Sequence, residues 1–226
     1  MPTFVLRVWV PDRPGALGAV AGRIGAVRGD LVGIDILERG GGRAIDELVI
    51  ELPNANLVPL LVTEVSQVDG VDVEDVRPAP DALLDARLDA LETAAVLVEQ
   101  FDAAALLGEL AARAHRDFEA DWAAVVDLDA PMPLAAVGVV PPATWLGAFV
   151  AGSRSSVRVA AGECGPDDTA WATLPAADLA VVLGRRGRPF RARERRQLAA
   201  LVRIADQRWV EVAVRVTPPV HPAAAP

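Results

Sequence analysis

The stretch Val8-Trp9-Val10-Pro11-Asp12-Arg13-Pro14-Gly15-Ala16-Leu17 passes from one kind of local structure to another within a few residues. Upstream, Phe4 to Val10 is rich in β-branched and aromatic side chains and predicts a strand. Pro11 to Gly15 breaks it, since proline removes a ladder donor and glycine tolerates backbone conformations closed to other residues. Downstream, Leu17, Val20, Ile24 and Val27 recur at helical spacing and give one apolar face. Gly29 is predicted at C′ of that helix, where a positive φ costs glycine little.

Working outward, Leu31 to Leu37 and Ala44 to Leu52 read as strands, and Gly40-Gly41-Gly42 between them lets the chain reverse as a hairpin. Asn56 is placed to cap a second helix on which Val58, Leu61, Val62 and Val65 share a face. Gly70 precedes a fourth strand, Val71 to Val76. The order β-α-β-β-α-β is the split βαβ or ferredoxin-like arrangement, an α+β fold with two helices on one face of an antiparallel sheet.

The opening stretch, in this context, resembles the first strand, ligand loop and helix start of an ACT domain. That loop is commonly Asp/Asn-x-Pro-Gly followed by an aliphatic residue, here Asp12-Arg13-Pro14-Gly15 ahead of Leu17, and the likeness runs on through Gly29-Asp30-Leu31-Val32. It covers about a third of the chain, residues 1–77. The resemblance implies an amino acid bound between two copies, the loop of one (Asp12, Arg13, Gly15, Ala16, Leu17) facing the second-strand start of the other (Asp30, Leu31, Val32). The chemistry is suited to a zwitterion. Amides at a helix N-terminus favour a carboxylate, and an acid such as Asp12 accepts from an ammonium. Family members that bind polar amino acids often carry side-chain amides at the positions of Asp12 and Leu31. An acid and an aliphatic residue here tilt the expected ligand toward an apolar or branched amino acid. A plain strand-to-helix turn would use the same Pro14-Gly15 pair.

Arg77-Pro78-Ala79-Pro80 marks a break, and residues 78–82 read as a linker. Leu84, Leu88, Leu91, Ala95 and Val98 then alternate spacings of four and three, which is either a short heptad seam for a dimer or a helix packed on its own domain. A second helix follows on Leu106, Leu110 and Ala114. Trp122 to Leu128 and Pro133 to Val139 read as strands, Thr144 to Val150 as a short helix ended by Gly152, Leu179 to Leu183 as a buried strand, and the residues from Arg191 as a closing helix. The leading helix, the Trp122-Ala123-Ala124-Val125-Val126 strand and the strand-turn-helix around Phe190 are similar to a GAF domain. That implies a GAF-like α/β/α domain over residues 83–214, followed by a Pro/Ala-rich tail, 215–226, expected to be disordered. In that family a small-molecule pocket lies between sheet and helices, and Trp122, Trp145 and Trp171 would line it or serve as core.

Composition narrows the function. The net charge of −9 disfavours nucleic acid and anionic membrane, and every one of the 22 basic residues is Arg. No apolar run approaches the roughly 18 residues of a membrane span. Met1-Pro2-Thr3 does not open a secretory signal, and one cysteine, Cys164, suits a reducing compartment, so a cytoplasmic location is expected. Two histidines, His115 and His221, leave little for acid–base catalysis, and no spacing suits a zinc site. Ser153, Ser155 and Ser156 form no nucleophile elbow, and Asp127 with Asp129 reads as a solvated turn pair. Arg185, Arg186, Arg188, Arg191, Arg193, Arg195 and Arg196 are a solvated turn and helix start or a site for an acidic partner.

The expectation is a non-catalytic regulatory protein without cofactor or metal, sensing an amino acid as a homodimer and signalling to an unidentified protein partner. The alternative is a dimerisation scaffold with a degenerate ligand loop.

Overall fold

The computed structural model describes residues 1–79, 86–129, 132–160 and 166–216. The chain divides into two compact units, one of Met1–Asp89 with Arg191–Arg193 and the other of Ala90–Phe190 with the chain from Glu194 onward. Leu84, the linker beyond Ala79, Cys164 with its neighbouring glycines, and the C-terminal tail fall outside the described residues.

In the first unit, β1 (Thr3–Pro11), α1 (Ala16–Ala26), β2 (Asp30–Gly40), β3 (Arg43–Glu51), α2 (Val58–Ser66) and β4 (Asp72–Pro78) follow in the expected order. The sheet runs β2-β3-β1-β4 and is antiparallel throughout. Phe4, Leu6, Val8 and Val10 of β1 and Leu48 and Ile50 of β3 alternate onto one face, where they bury against Val20 and Ile24 of α1 and Leu61 and Val65 of α2. The opposite face of β1 and β3 carries a buried charge network. Arg7, wholly buried, donates to Glu47 through Nε (3.0 Å) and Nη2 (2.8 Å), and Arg77 donates to the same carboxylate at 2.9 Å.

Three local expectations are corrected. Gly29 is not the residue in the left-handed region: Arg28 takes it, at φ 60, and a Cβ on Gly29 would sit 3.0 Å from Ile24 Cγ2 and 3.1 Å from Leu52 Cδ2. The glycine is there for close packing. Asn54, not Asn56, caps the second helical segment, accepting from the Asn56 amide at 2.8 Å, because a single 3₁₀ turn, Ala55–Leu57, precedes α2. The hairpin reverses on Gly41 and Gly42 alone, φ 59 and 79, the two left-handed centres of a two-residue turn, while Gly40 pairs with Arg43 in the ladder.

The second unit comprises α3 (Ala86–Glu99), α4 (Ala103–Asp117), β5 (Trp122–Asp127), β6 (Pro133–Gly138), α5 (Ala143–Arg154), α6 (Val157–Ala160), β7 (Thr169–Leu174), β8 (Leu179–Gly184) and α7 (Ala192–Val216). Its sheet, β6-β5-β8-β7, is also antiparallel. One face packs Ala123, Val125, Val181 and Leu183 on α4 and α7; the other packs Ala124, Val126, Ala180 and Val182 on Leu146 and Val150 of α5. Every residue of β8 is buried, as its unbroken apolar run requires of a strand covered on both faces. The helix begun near Thr144 continues through Gly152 to Arg154, so that glycine does not end it. On α3 the inward residues are Thr93 and Leu97, while Leu88, Leu91, Ala95 and Val98 are exposed. No helix among the described residues is long and apolar enough to cross a membrane.

Candidate functional site

β1 ends on Pro11, and the chain turns through Asp12, Arg13 and Pro14 to enter α1 at Gly15. Gly15 adopts φ 86, a left-handed conformation that the residue type permits and most others resist. It offers no side chain, no side chain caps α1, and the first turn contains no acid. The Ala16 amide is taken by the Arg13 carbonyl, but the Leu17 and Gly18 amides and the positive end of the helix dipole have no protein anion, the condition under which a helix end receives an external one. The turn is held at its base. The Asp12 amide donates to the Gly42 carbonyl at 2.9 Å, and Pro11 abuts Gly70, where a Cβ would meet Pro11 Cγ at 2.8 Å. Arg43 reinforces this end of the sheet, donating to the Gly70 carbonyl (3.1 Å) and to Asp72 (2.6 Å).

Asp12, Arg13 and Gly15 are exposed, as a ligand loop requires. Arg13 reaches Asp69 only at 3.8 Å, and with both side chains largely in solvent the pair adds little. Ala16 is different: its side chain is in the core and its amide donates to the Arg13 carbonyl, so it supports the turn without lining it. Leu17 packs against the same core from the edge. Asp30, Leu31 and Val32 lie at the far end of α1, an eleven-residue helix of about 16 Å. Within one chain the two halves of the predicted site are not brought together. The part of β2 alongside the β1–α1 turn is Ile36 to Arg39, since Ile36 pairs with Asp46 and Arg39 with Ala44.

Asp46 is the group that sequence reasoning passed over. It lies on the helix-facing side of β3 opposite Val8, is 4 % exposed, and its Oδ1 is buried without a hydrogen-bond partner. Burial pushes its carboxyl above the ordinary range; Arg39 pulls it back, and Asp12 adds to the rise. Its neighbour Glu47 moves the other way. Burial would raise it, but the guanidinium groups of Arg7 and Arg77 outweigh that and hold it below the usual carboxylate range.

In the second unit, the arginine cluster is largely structural. Arg185 is buried and donates to the carbonyls of Phe118 (2.8 Å) and Arg188 (2.8 Å) and to Glu194 (2.6 Å), while Arg195 donates to the Thr169 and Pro166 carbonyls. These two are spent on joining the β8–α7 turn to its surroundings, not on a solvated patch. Asp127 accepts from the Asp129 amide at 2.8 Å, the geometry of an Asx turn. Trp122 lies against Gly184, where a Cβ would be 2.4 Å from the indole, and meets Trp145 edge-on at 6.2 Å; Trp145 in turn stacks on Phe149 at 5.3 Å. A cavity of about 40 Å³ lined by Val126, Leu128, Val150 and Arg154 among others has room for water, well short of a ligand site. Among the described residues no group of His, Cys, Asp and Glu could hold a metal ion.

The first unit is thus a ferredoxin-like α+β sheet with an uncapped helix end beside two carboxylates. No protein-family model matches the sequence, and no curated protein matches it. Among the solved structures that the chain matches, two illustrate a weak similarity. One, an unknown protein from Galdieria sulphuraria, is 17 % identical with a TM-score of 0.31, over 35 % of this chain and 46 % of its own, so the chain spans under half of that protein. The other is the ACT domain from a GTP pyrophosphokinase of Chlorobium tepidum, 19 % identical with a TM-score of 0.28, over 34 % of this chain and 96 % of that domain.

Proposed function

We propose that the chain is a non-catalytic regulatory protein whose N-terminal ACT-type unit binds an amino acid at the β1–α1 turn. The observation that carries this is the start of α1. Gly15 enters α1 in a left-handed conformation, no side chain caps the helix, and the acid Asp12 stands exposed on the same turn. A positive helix end and a nearby carboxylate complement the two poles of a zwitterion. An apolar or branched side chain is favoured, because the second-strand positions offered by a partner copy, Leu31 and Val32, are aliphatic.

The site is completed by a second copy, since Asp30, Leu31 and Val32 stand at the opposite end of α1 from the loop. The heptad residues Leu88, Leu91, Ala95 and Val98 are exposed, which favours the seam reading of α3 over the packed one. The second unit is read as GAF-like and as the part that passes the change to a protein partner in the cytoplasm. For this to be allostery, the ligand must bind two packings of the dimer with different affinities.

The test is thermal unfolding of the full chain against each of the twenty amino acids, with Gly15→Val as control. That site has open space around a Cβ but an unfavourable φ, so the variant should fold with a distorted loop. A ligand at about 100 times its Kd adds near 2.7 kcal/mol. A selective rise in Tm that Gly15→Val abolishes is expected. If no amino acid moves the Tm of a folded dimer, the scaffold reading replaces the sensor.

A further inference from the structure

Asp46 is a carboxylate in a setting where an unpaired carboxylate is unfavourable. It is 96 % buried (4 % exposed) on the helix-facing side of β3, between Val8 of β1 and Ile36 of β2. Oδ1 has no solvent contact and no donor, and among the described residues no cation forms an ion pair with it. The charged groups facing it are Asp12 from the β1–α1 turn and Arg39 from β2; α1 contributes no acid from its first turn. Two carboxylates therefore share a neighbourhood that also contains an uncapped helix end. Like charges so placed disfavour each other until a cation comes between them. Arg39 offsets part of that cost without pairing with Asp46, so Oδ1 still lacks a donor, which a cationic ligand would supply.

We infer that Asp46 accepts the ammonium group of the molecule bound at the β1–α1 turn, with Asp12 as the outer acceptor of the same group and the α1 amides taking the ligand's carboxylate. This rests on the amino-acid reading above and adds to it a requirement. The α-nitrogen must be cationic, so a 2-oxo acid with the same side chain is not a ligand.

The experiment uses the full chain as wild type, Asp46→Asn and Asp46→Ser, titrated calorimetrically with the twenty L-amino acids, 4-methyl-2-oxopentanoate and isobutylamine. Asn preserves shape and removes charge; Ser repeats the comparison with a smaller side chain. The amino acid that stabilises the wild type should bind both variants at least about tenfold more weakly, the scale of a hydrogen bond to a charged group. The oxo acid should bind none of the three proteins. Equal affinity of wild type and Asp46→Asn for the amino acid overturns the inference and leaves the sensor reading standing. Should no amino acid bind, isobutylamine decides. Binding to wild type and not to Asp46→Asn keeps Asp46 as a cation acceptor and removes the amino-acid reading, whereas no binding removes both.

Discussion

Arg28 and Gly29 exchange the roles that residue type alone would assign them. The positive φ falls on the arginine, and the glycine is favoured because a Cβ would crowd Ile24 and Leu52. Gly29→Ala should therefore destabilise by about 1–3 kcal/mol through overpacking. Arg28→Gly, which relieves a left-handed non-glycine, should not destabilise, and urea unfolding of the two variants checks the contrast. Asp46 was illegible for a related reason. In Ala44-Ile45-Asp46-Glu47-Leu48, apolar and acidic residues occur on both alternations, so period two does not say which acid faces inward. Only the register of β1 on β3, which sets Val8 opposite Asp46, assigns its face. The β1–α1 turn itself was legible because Pro and Gly act through the backbone, whatever the packing around them.

At the level of elements, β3 holds two adjacent acids with opposite dependences on pH. Glu47 is depressed below its ordinary 4.5, so its stabilisation is full above that value and is lost as pH falls through the folded value. Asp46 is raised above 3.8, so its penalty is absent below that value and sets in as pH rises through the folded one. Glu47→Gln, which removes the carboxylate that Arg7 and Arg77 share, should cost about 3 kcal/mol at neutral pH and progressively less in acid. Asp46→Asn should gain on the wild type above pH 3.8 and level off. Urea unfolding across about pH 3 to 7 measures both curves. Of the elements read in the first unit, β1 and β3 with the two helices have long apolar faces, whereas β4 was bounded by Gly70 and the Arg77-Pro78 break. β7 went unseen because Thr169-Ala170-Trp171-Ala172-Thr173-Leu174 has only Trp171 and Leu174 as large apolar residues, three apart, so no period of two stands out. α5 was cut short at Gly152 because an isolated glycine is tolerated in a helix whose other residues pack well.

Across the whole molecule, each unit has a core of its own, and α3 turns Thr93 and Leu97 inward while presenting its heptad residues outward. Leu91 is 69 % exposed, so Leu91→Glu should change the stability of the fold by no more than about 0.5 kcal/mol. If copies pair along this helix, the same change should convert a dimer to a monomer in sedimentation velocity; an unchanged sedimentation coefficient would place the pairing elsewhere. The tryptophans have a further consequence, a spectroscopic one. The chain has five of them and no tyrosine, and Trp122, Trp145, Trp171 and Trp209 all belong to the second unit. The first unit has Trp9 alone, beneath the Arg43 guanidinium at 5.2 Å and opposite Ile45 on the sheet face away from Asp46. Intrinsic emission is therefore chiefly a gauge of the second unit. Occupancy of the β1–α1 turn should reach the emission only through Trp9, two residues before Pro11, so a ligand that alters the emission of a Trp9→Phe variant must have moved something in the second unit.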